Sequence, residues 1–201
     1  MKNIIKSISL KVALFSVFTI LLSLAITSCS SSDRNDITDS IPEHEHDEIS
    51  KVVLQFREKN SPATIYEVTY EVPEGTTVLP IADVNLPAGE YLVETHFYSP
   101  HDDHFHDVTD EIFIQDADDH FVFYQKLNTS NVSIVYADDD RIDTLGRKLG
   151  FKTVWTIQAG ATGQVYLYLM HQPAEKKQDA VSTDELGGEI DLEAHYKINL
   201  Q

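Results

Sequence analysis

Beyond residue 50 the chain alternates between apolar and polar side chains with a period of two. The last segment shows this best, because apolar residues occupy every second position from Ile190 to Leu200 and polar residues fill the positions between them. The alternation predicts β-strands with one buried and one solvated face, since successive side chains of a strand point to opposite sides. No window of 11 residues has the apolar spacing of a helix, so we expect only short helices.

Nine segments carry the strand pattern and are separated by turns rich in glycine, proline and aspartate. They are residues 52–57, 66–72, 90–98, 108–114, 120–125, 132–136, 151–157, 163–171 and 190–200. Nine short strands in about 150 residues predict an all-β domain, an antiparallel β-sandwich of Ig-like or jelly-roll-like type, with a closed β-barrel as the alternative. The long polar insertion at residues 174–188 is predicted to be a mobile surface loop.

The first 28 residues have the pattern of a bacterial secretory signal. Three lysines precede an apolar run of 15 residues, which ends at Ile26, two small residues and Cys29, the only cysteine of the chain. As a helix this run spans about 22 Å, which is short of the roughly 30 Å hydrocarbon core of a bilayer. Cys29 stands where a lipobox places the cysteine that is lipidated after cleavage. We therefore expect residues 1–28 to be a lipoprotein signal peptide and Cys29 to carry an acyl anchor, including palmitate, in the outer membrane. The pattern leaves open whether the protein faces the periplasm or the cell surface.

Residues 29–50 are expected to form a flexible acidic tether, because they carry too little apolar surface to offset the entropy lost on ordering. One folded β domain is then predicted over residues 51–201. Removal of residues 1–28 takes away three lysines and no acid, which changes the formal charge from -18 to -21. A chain this acidic repels the phosphates of nucleic acid, so nucleic acid is excluded as a partner.

Short motifs spread over residues 44–201 resemble those of a group of small outer-membrane lipoproteins from Bacteroidetes. The motifs are VTDEI at 108–112, ADDHFVFY at 117–124, GFKTVW at 150–155, LMHQP at 169–173 and GGEIDLE at 187–193. Members of this group are often labelled as a type 1 periplasmic binding fold. That label implies two α/β lobes, whereas the length and the period of two predict a single β domain. The resemblance implies an outer-membrane lipoprotein without a defined activity.

Five of the nine histidines fall in two short acidic clusters, which are the candidate metal-binding segments. The first cluster, at residues 43–48 of the tether, offers His44 and His46. The second cluster, at residues 101–107, offers His101, Asp102, His104, His106 and Asp107. Zinc binds imidazole nitrogen and carboxylate oxygen in a tetrahedral shell, and copper(II) takes similar ligands in tetragonal geometry. The clusters therefore predict zinc as the first choice of metal and copper as the second.

Asp118 and His120 form a second candidate metal site beside the turn at residues 116–119. The alternative for His120 is a structural role as the first residue of a strand. Aromatic side chains offer a different kind of site, since Trp155, Tyr166 and Tyr168 could stack on a sugar or porphyrin or could simply fill the core.

The sequence does not favour an enzyme. It has no Gly-x-Ser-x-Gly elbow, no His-Glu-x-x-His and no phosphate-binding glycine loop. The interpretation that accounts for both histidine clusters is an accessory lipoprotein that binds zinc or copper and passes it to an uptake system such as a TonB-dependent receptor. The alternative is a protein-interaction or small-ligand-binding lipoprotein of an outer-membrane complex, with no metal role.

Overall fold

The computed structural model describes residues 49–200, which contain eight β-strands and two short helical turns. The strands are β1 Lys51–Glu58, β2 Ile65–Glu71, β3 Ala82–Leu86, β4 Gly89–His101, β5 His104–Asp107, β6 His120–Tyr136, β7 Lys152–His171 and β8 Glu189–Leu200. A π-helical turn covers Glu111–Gln115 and a 3₁₀ turn covers Thr183–Glu185. No helix in this part of the chain is long and apolar enough to cross a membrane. The predicted signal peptide, Cys29, His44 and His46 lie outside the described residues.

All eight described strands belong to one mixed sheet that curls into a nearly closed barrel. The order is β2-β1-β4-β7-β8-β3, with β5 paired to β4 and β6 paired to β7. β3 and β8 run parallel, while the other described pairs are antiparallel. The end strands β2 and β3 approach each other to within 8 Å between Cα atoms. The sheet therefore wraps around a single core and leaves a seam between its two end strands.

The long β6–β7 hairpin joins the two halves of the sheet. The first half of β7 pairs with β4 and the second half pairs with β8, while β6 lies along its other side. The ladder is interrupted between Leu127 and Val132, where the register shifts. Gly163 lies opposite this interruption with a φ of +122°, and a Cβ atom there would lie 2.5 Å from the Cα of Thr129. Only glycine fits so close to the neighbouring backbone.

The core inside the barrel is rich in aromatic side chains. Trp155 is fully buried, and its ring packs edge-to-face against Phe56 at 5.2 Å and Tyr124 at 5.8 Å between centroids. Such pairs contribute about 0.5–1.5 kcal/mol each beyond the burial of their surface. Phe121 and Phe123 have no exposed surface either. These aromatic residues therefore fill the core and do not form an open stacking platform.

Two tyrosines place their hydroxyl groups in the core. The rings of Tyr70 and Tyr196 lie 6.0 Å apart, and neither hydroxyl has a hydrogen-bond partner among the described residues. Burial, assisted by the charge of Glu193, raises the pKa of Tyr70 to about 12. Burial also raises the pKa of Tyr196 well above its ordinary value. Both phenols are held in their neutral form because the interior disfavours a phenolate.

The all-β prediction is confirmed, and the architecture corresponds to the barrel alternative. Segments 120–125 and 132–136 are one strand, β6, and segments 151–157 and 163–171 are one strand, β7. The short strands β3 and β5 were not predicted. The predicted strand at 108–114 is wrong, because the carboxylate of Asp107 accepts the backbone N–H of Thr109 at 2.9 Å and turns the chain. Ile112 and Phe113 are both buried in the π-helical turn. Adjacent residues of a strand point to opposite faces, so a strand with one buried face would bury only one of the two.

The connection between β7 and β8, predicted to be a mobile loop, is held against the barrel: the side-chain amide of Gln125 donates to the carbonyl of Val181 at 2.8 Å, and two side chains of the connection are fully buried. The side chain of Lys176 is fully buried, and its Nζ donates to the carbonyl of Ala117 at 2.8 Å and lies 3.4 Å from Asp143. The side chain of Leu186 is also fully buried. Lys176 and Leu186 therefore anchor this segment, although its composition is mainly polar.

Candidate functional site

The histidine cluster at 101–107 forms an exposed hairpin of β4 and β5. Asp102 and Asp103 make the turn, and Asp102 adopts a φ of +54°, which aspartate tolerates better than most residues. His101 pairs with His104 directly across the hairpin, and the two ring centroids lie 5.2 Å apart. Their side chains are 58% and 61% exposed, so both imidazoles are accessible to a cation from solvent.

His106 lies on the same face of this hairpin as His101 and His104. It follows His104 by two residues in β5, and its partner Ser99 precedes His101 by two residues in β4. Side chains two residues apart in a strand share a face, and so do directly opposite residues. The hairpin therefore presents three imidazoles on one side.

The aspartates of the hairpin have unequal roles. Asp102 lies 3.7 Å from Nδ1 of His101, and Asp103 lies 3.4 Å from Nδ1 of His104. The first distance is too long for a hydrogen bond, so only Asp103 is placed to orient the imidazole beside it. Asp107 is instead used by the turn at Thr109.

A complete metal-binding group is not preformed in the part of the chain that the structure describes. Within residues 49–200, no three or more His, Cys, Asp or Glu side chains are arranged to hold a metal ion. The hairpin provides a pair of histidines, and a third ligand has to be brought in by rotation of a nearby side chain.

The structure gives Asp118 and His120 different partners. The carboxylate of Asp118 accepts the backbone N–H of Thr144 at 2.8 Å and its hydroxyl at 2.9 Å. These hydrogen bonds hold the pKa of Asp118 below its ordinary value, because they stabilise the carboxylate. His120 begins β6 and is completely buried. The pair proposed from the sequence is therefore not assembled as one site.

His120 instead belongs to a cluster with His171 and Asp191 that sequence reasoning missed. His120 and His171 are directly opposite each other in β6 and β7, with rings stacked at 5.2 Å and 10° between their planes. One oxygen of Asp191 lies 3.4 Å from Nε2 of His120 and the other lies 3.6 Å from Nδ1 of His171. Nδ1 of His120 lies 3.1 Å from the carbonyl of Asp116, which can only accept, so this nitrogen carries the hydrogen.

A β-bulge brings Asp191 to these histidines. Ile190 pairs with Met170 and Leu192 pairs with Leu169, so Asp191 is an additional residue in the register of β8. A bulge changes the direction of the side chain that it carries. Strict alternation would place Asp191 on the outer face beside Glu193, and for this reason the sequence pattern did not reveal the cluster.

Asp191 also lines a groove of about 630 Å³ between β8 and the end of β2. One wall is formed by residues 191–193 of β8, and the other by the end of β2 and the connection that follows it. Apolar lining comes from Val72, Leu79, Phe105 and Leu192, and acidic lining from Glu71, Glu74, Asp191 and Glu193. The groove thus combines apolar surface with four carboxylates.

Comparisons with protein-family models, with curated proteins and with solved structures gave no match to this chain. The family resemblance and the outer-membrane location therefore stay predictions. Function has to be argued from the two surface features, the histidine hairpin and the groove.

Proposed function

We propose that this protein is a membrane-anchored extracytoplasmic lipoprotein that captures a divalent transition metal, zinc first and copper second, as an accessory to uptake. The observation that carries the proposal is the exposed pair of His101 and His104, which face each other across the hairpin with His106 on the same side. Two imidazoles placed in this way can bind one cation, and both metals favour imidazole nitrogen.

The remaining ligands come from the same hairpin and from water. Asp102 and Asp103 stand beside the two histidines, and their side chains are 86% and 99% exposed, so they are free to rotate toward a cation. The formal charge of -18 raises the concentration of cations near the surface. An open site of this kind suits a protein that takes up a metal and releases it again.

The other parts of the proposal rest on the sequence. His44 and His46 supply a second capture segment in the tether, and Cys29 supplies the anchor. An acceptor such as a TonB-dependent receptor would then take the metal from the hairpin. No catalytic step is part of this function.

Calorimetric titration of zinc and copper(II) into the metal-stripped mature chain tests the proposal. The variant that carries His101→Ala and His104→Ala is expected to lose the folded site, with an affinity at least ten times weaker. The matched variant His44→Ala with His46→Ala also removes two histidines and is expected to keep that site. Equal affinity and stoichiometry in the hairpin variant and the unmodified chain would overturn the assignment, provided that circular dichroism shows both to be folded.

The groove favours a second candidate function, in which the protein binds a protein partner or a small ligand without any metal. Its volume of about 630 Å³ lies within the usual range of ligand pockets, about 300–1,000 Å³. In that case, a chelator leaves partner binding unchanged and substitutions in the groove abolish it.

A further inference from the structure

We infer that the groove binds an extended, lysine- or arginine-bearing segment of a partner protein, which adds a strand to β8. This inference rests on the second candidate function and is independent of the metal proposal. The juxtaposition that carries it is an open strand edge beside an apolar groove whose charged lining is entirely acidic.

The open edge belongs to the first half of β8. β3 pairs with β8 only over residues 196–200, whereas residues 189–195 pair with β7 alone among the described strands. In a strand, the N–H and C=O groups of alternate residues point to opposite sides. On the side of β8 away from β7, the backbone groups of this half therefore have no strand to pair with. The β-bulge at Asp191 interrupts this edge, so its regular part covers residues 192–195, which is roughly 13 Å at about 3.3 Å per residue and accommodates a strand of about four residues.

The groove continues this edge toward β2. β2 is the opposite end strand of the sheet and pairs with β1 alone among the described strands. A segment lying in the groove would therefore run along the first half of β8, with the end of β2 and the connection that follows it on its other side. Strand addition of this kind derives affinity from backbone hydrogen bonds and specificity from alternate side chains.

Exposed apolar side chains on the β2 side of the groove favour a protein partner over a small polar ligand. Leu79 lines the groove and is 40% exposed. Val78 and Ile81, in the same connection as Leu79, are more exposed still. Apolar surface that exceeds the groove itself marks an interaction surface.

The charge of the lining selects the partner. Glu71, Glu74, Asp191 and Glu193 line the groove, and its lining has no lysine, arginine or histidine. A second copy of this chain, with a formal charge of -18, would bring further carboxylates into the groove, and so would the chain's own acidic residues 30–48. Like charges at an interface are unfavourable, so the occupant is a basic segment of another protein.

The test uses a short peptide of alternating lysine and valine, titrated into the full mature chain. A peptide of the same sequence with N-methyl groups on the amides of one edge keeps the charge but cannot add a strand. Strand addition predicts that N-methylation weakens binding at least tenfold. Equal binding of the two peptides would overturn the inference, because simple attraction between opposite charges does not need the backbone amides.

Two charge-reversal variants locate the site. Glu74→Lys, in the groove, is expected to weaken the affinity for the peptide at least tenfold. Asp184→Lys, on the exposed 3₁₀ turn, is expected to change that affinity less than twofold. Equal effects of the two reversals would place the peptide elsewhere and overturn the inference. The variant His101→Ala with His104→Ala is expected to bind the peptide normally, which separates this result from the metal proposal. If a neutral small molecule binds in the groove and the peptide does not, the proposed strand addition is overturned, whereas the second candidate function stays in place.

Discussion

The barrel contains two histidine pairs with the same spacing and opposite surroundings. His101 and His104 face each other across β4 and β5, and His120 and His171 face each other across β6 and β7, in both cases with ring centroids 5.2 Å apart. The first pair is more than half exposed, while in the second pair His120 is 1% and His171 is 26% exposed, and both contact Asp191. A pair of facing histidines therefore does not define a function by itself. The accessibility of the ring nitrogens separates a pair that can bind a cation from a pair that supports the fold.

The largest expected effect on stability comes from the substitution of His120, the buried member of the pair with His171. His120→Ala leaves a cavity and removes a partner from both the carbonyl of Asp116 and the carboxylate of Asp191, so it is expected to lower the free energy of unfolding by about 2–4 kcal/mol. His101→Ala, the matched change in the exposed pair, is expected to stay within about 0.5 kcal/mol. Urea unfolding of the two variants measures the difference. Similar losses would show that the hairpin histidines are also structural.

Alkaline pH is expected to lower the stability of the fold through the buried tyrosines and not through the histidine hairpin. Because the pKa of Tyr70 is raised to about 12 in the folded protein, its phenol stays neutral between pH 10 and 12 while that of the unfolded chain ionises, so the free energy of unfolding falls as the pH rises from 10 toward 12. The expected loss from Tyr70 over this range is about 1.4 kcal/mol per pH unit.

Unfolding in urea at pH 9 to 12 measures this loss, with Tyr70→Phe as the control. Because the hydroxyl of Tyr70 has no hydrogen-bond partner among the described residues, the phenylalanine variant is expected to be as stable as the unmodified chain at pH 7 and less sensitive to base. An unchanged alkaline slope in Tyr70→Phe would contradict the assignment to this residue.

The smallest expected effect concerns Asp118, which the sequence offered as a metal ligand. Asp118→Asn weakens the hydrogen bonds to Thr144 and should lower the midpoint of thermal unfolding by less than His120→Ala does. Because the pKa of Asp118 is lowered in the folded protein, its contribution is present above about pH 4 and disappears as the pH falls further. The gap between variant and unmodified chain should therefore close in acid. Loss of zinc affinity in Asp118→Asn would instead return this residue to the metal site.

The strand content could be predicted because alternation is a local property, and the histidine cluster at 101–107 could be predicted because its members are close in sequence, although the short strand β5 that makes it a hairpin was not. The continuity of β6 could not be predicted, because Asn128 and Asn131 adopt positive φ values and are typical of turns. The cluster of His120, His171 and Asp191 could not be predicted either. It depends on pairing between three distant strands and on a one-residue bulge, which changes the face of Asp191 without changing the sequence pattern.

Asp191 links two parts of the molecule that otherwise have separate roles. Its carboxylate contacts the fully buried His120 and the partly exposed His171, and it also lines the groove. A substitution of Asp191 therefore alters the lining of the groove and the surroundings of the two histidines in a single change, and no variant at this position can test one of them alone.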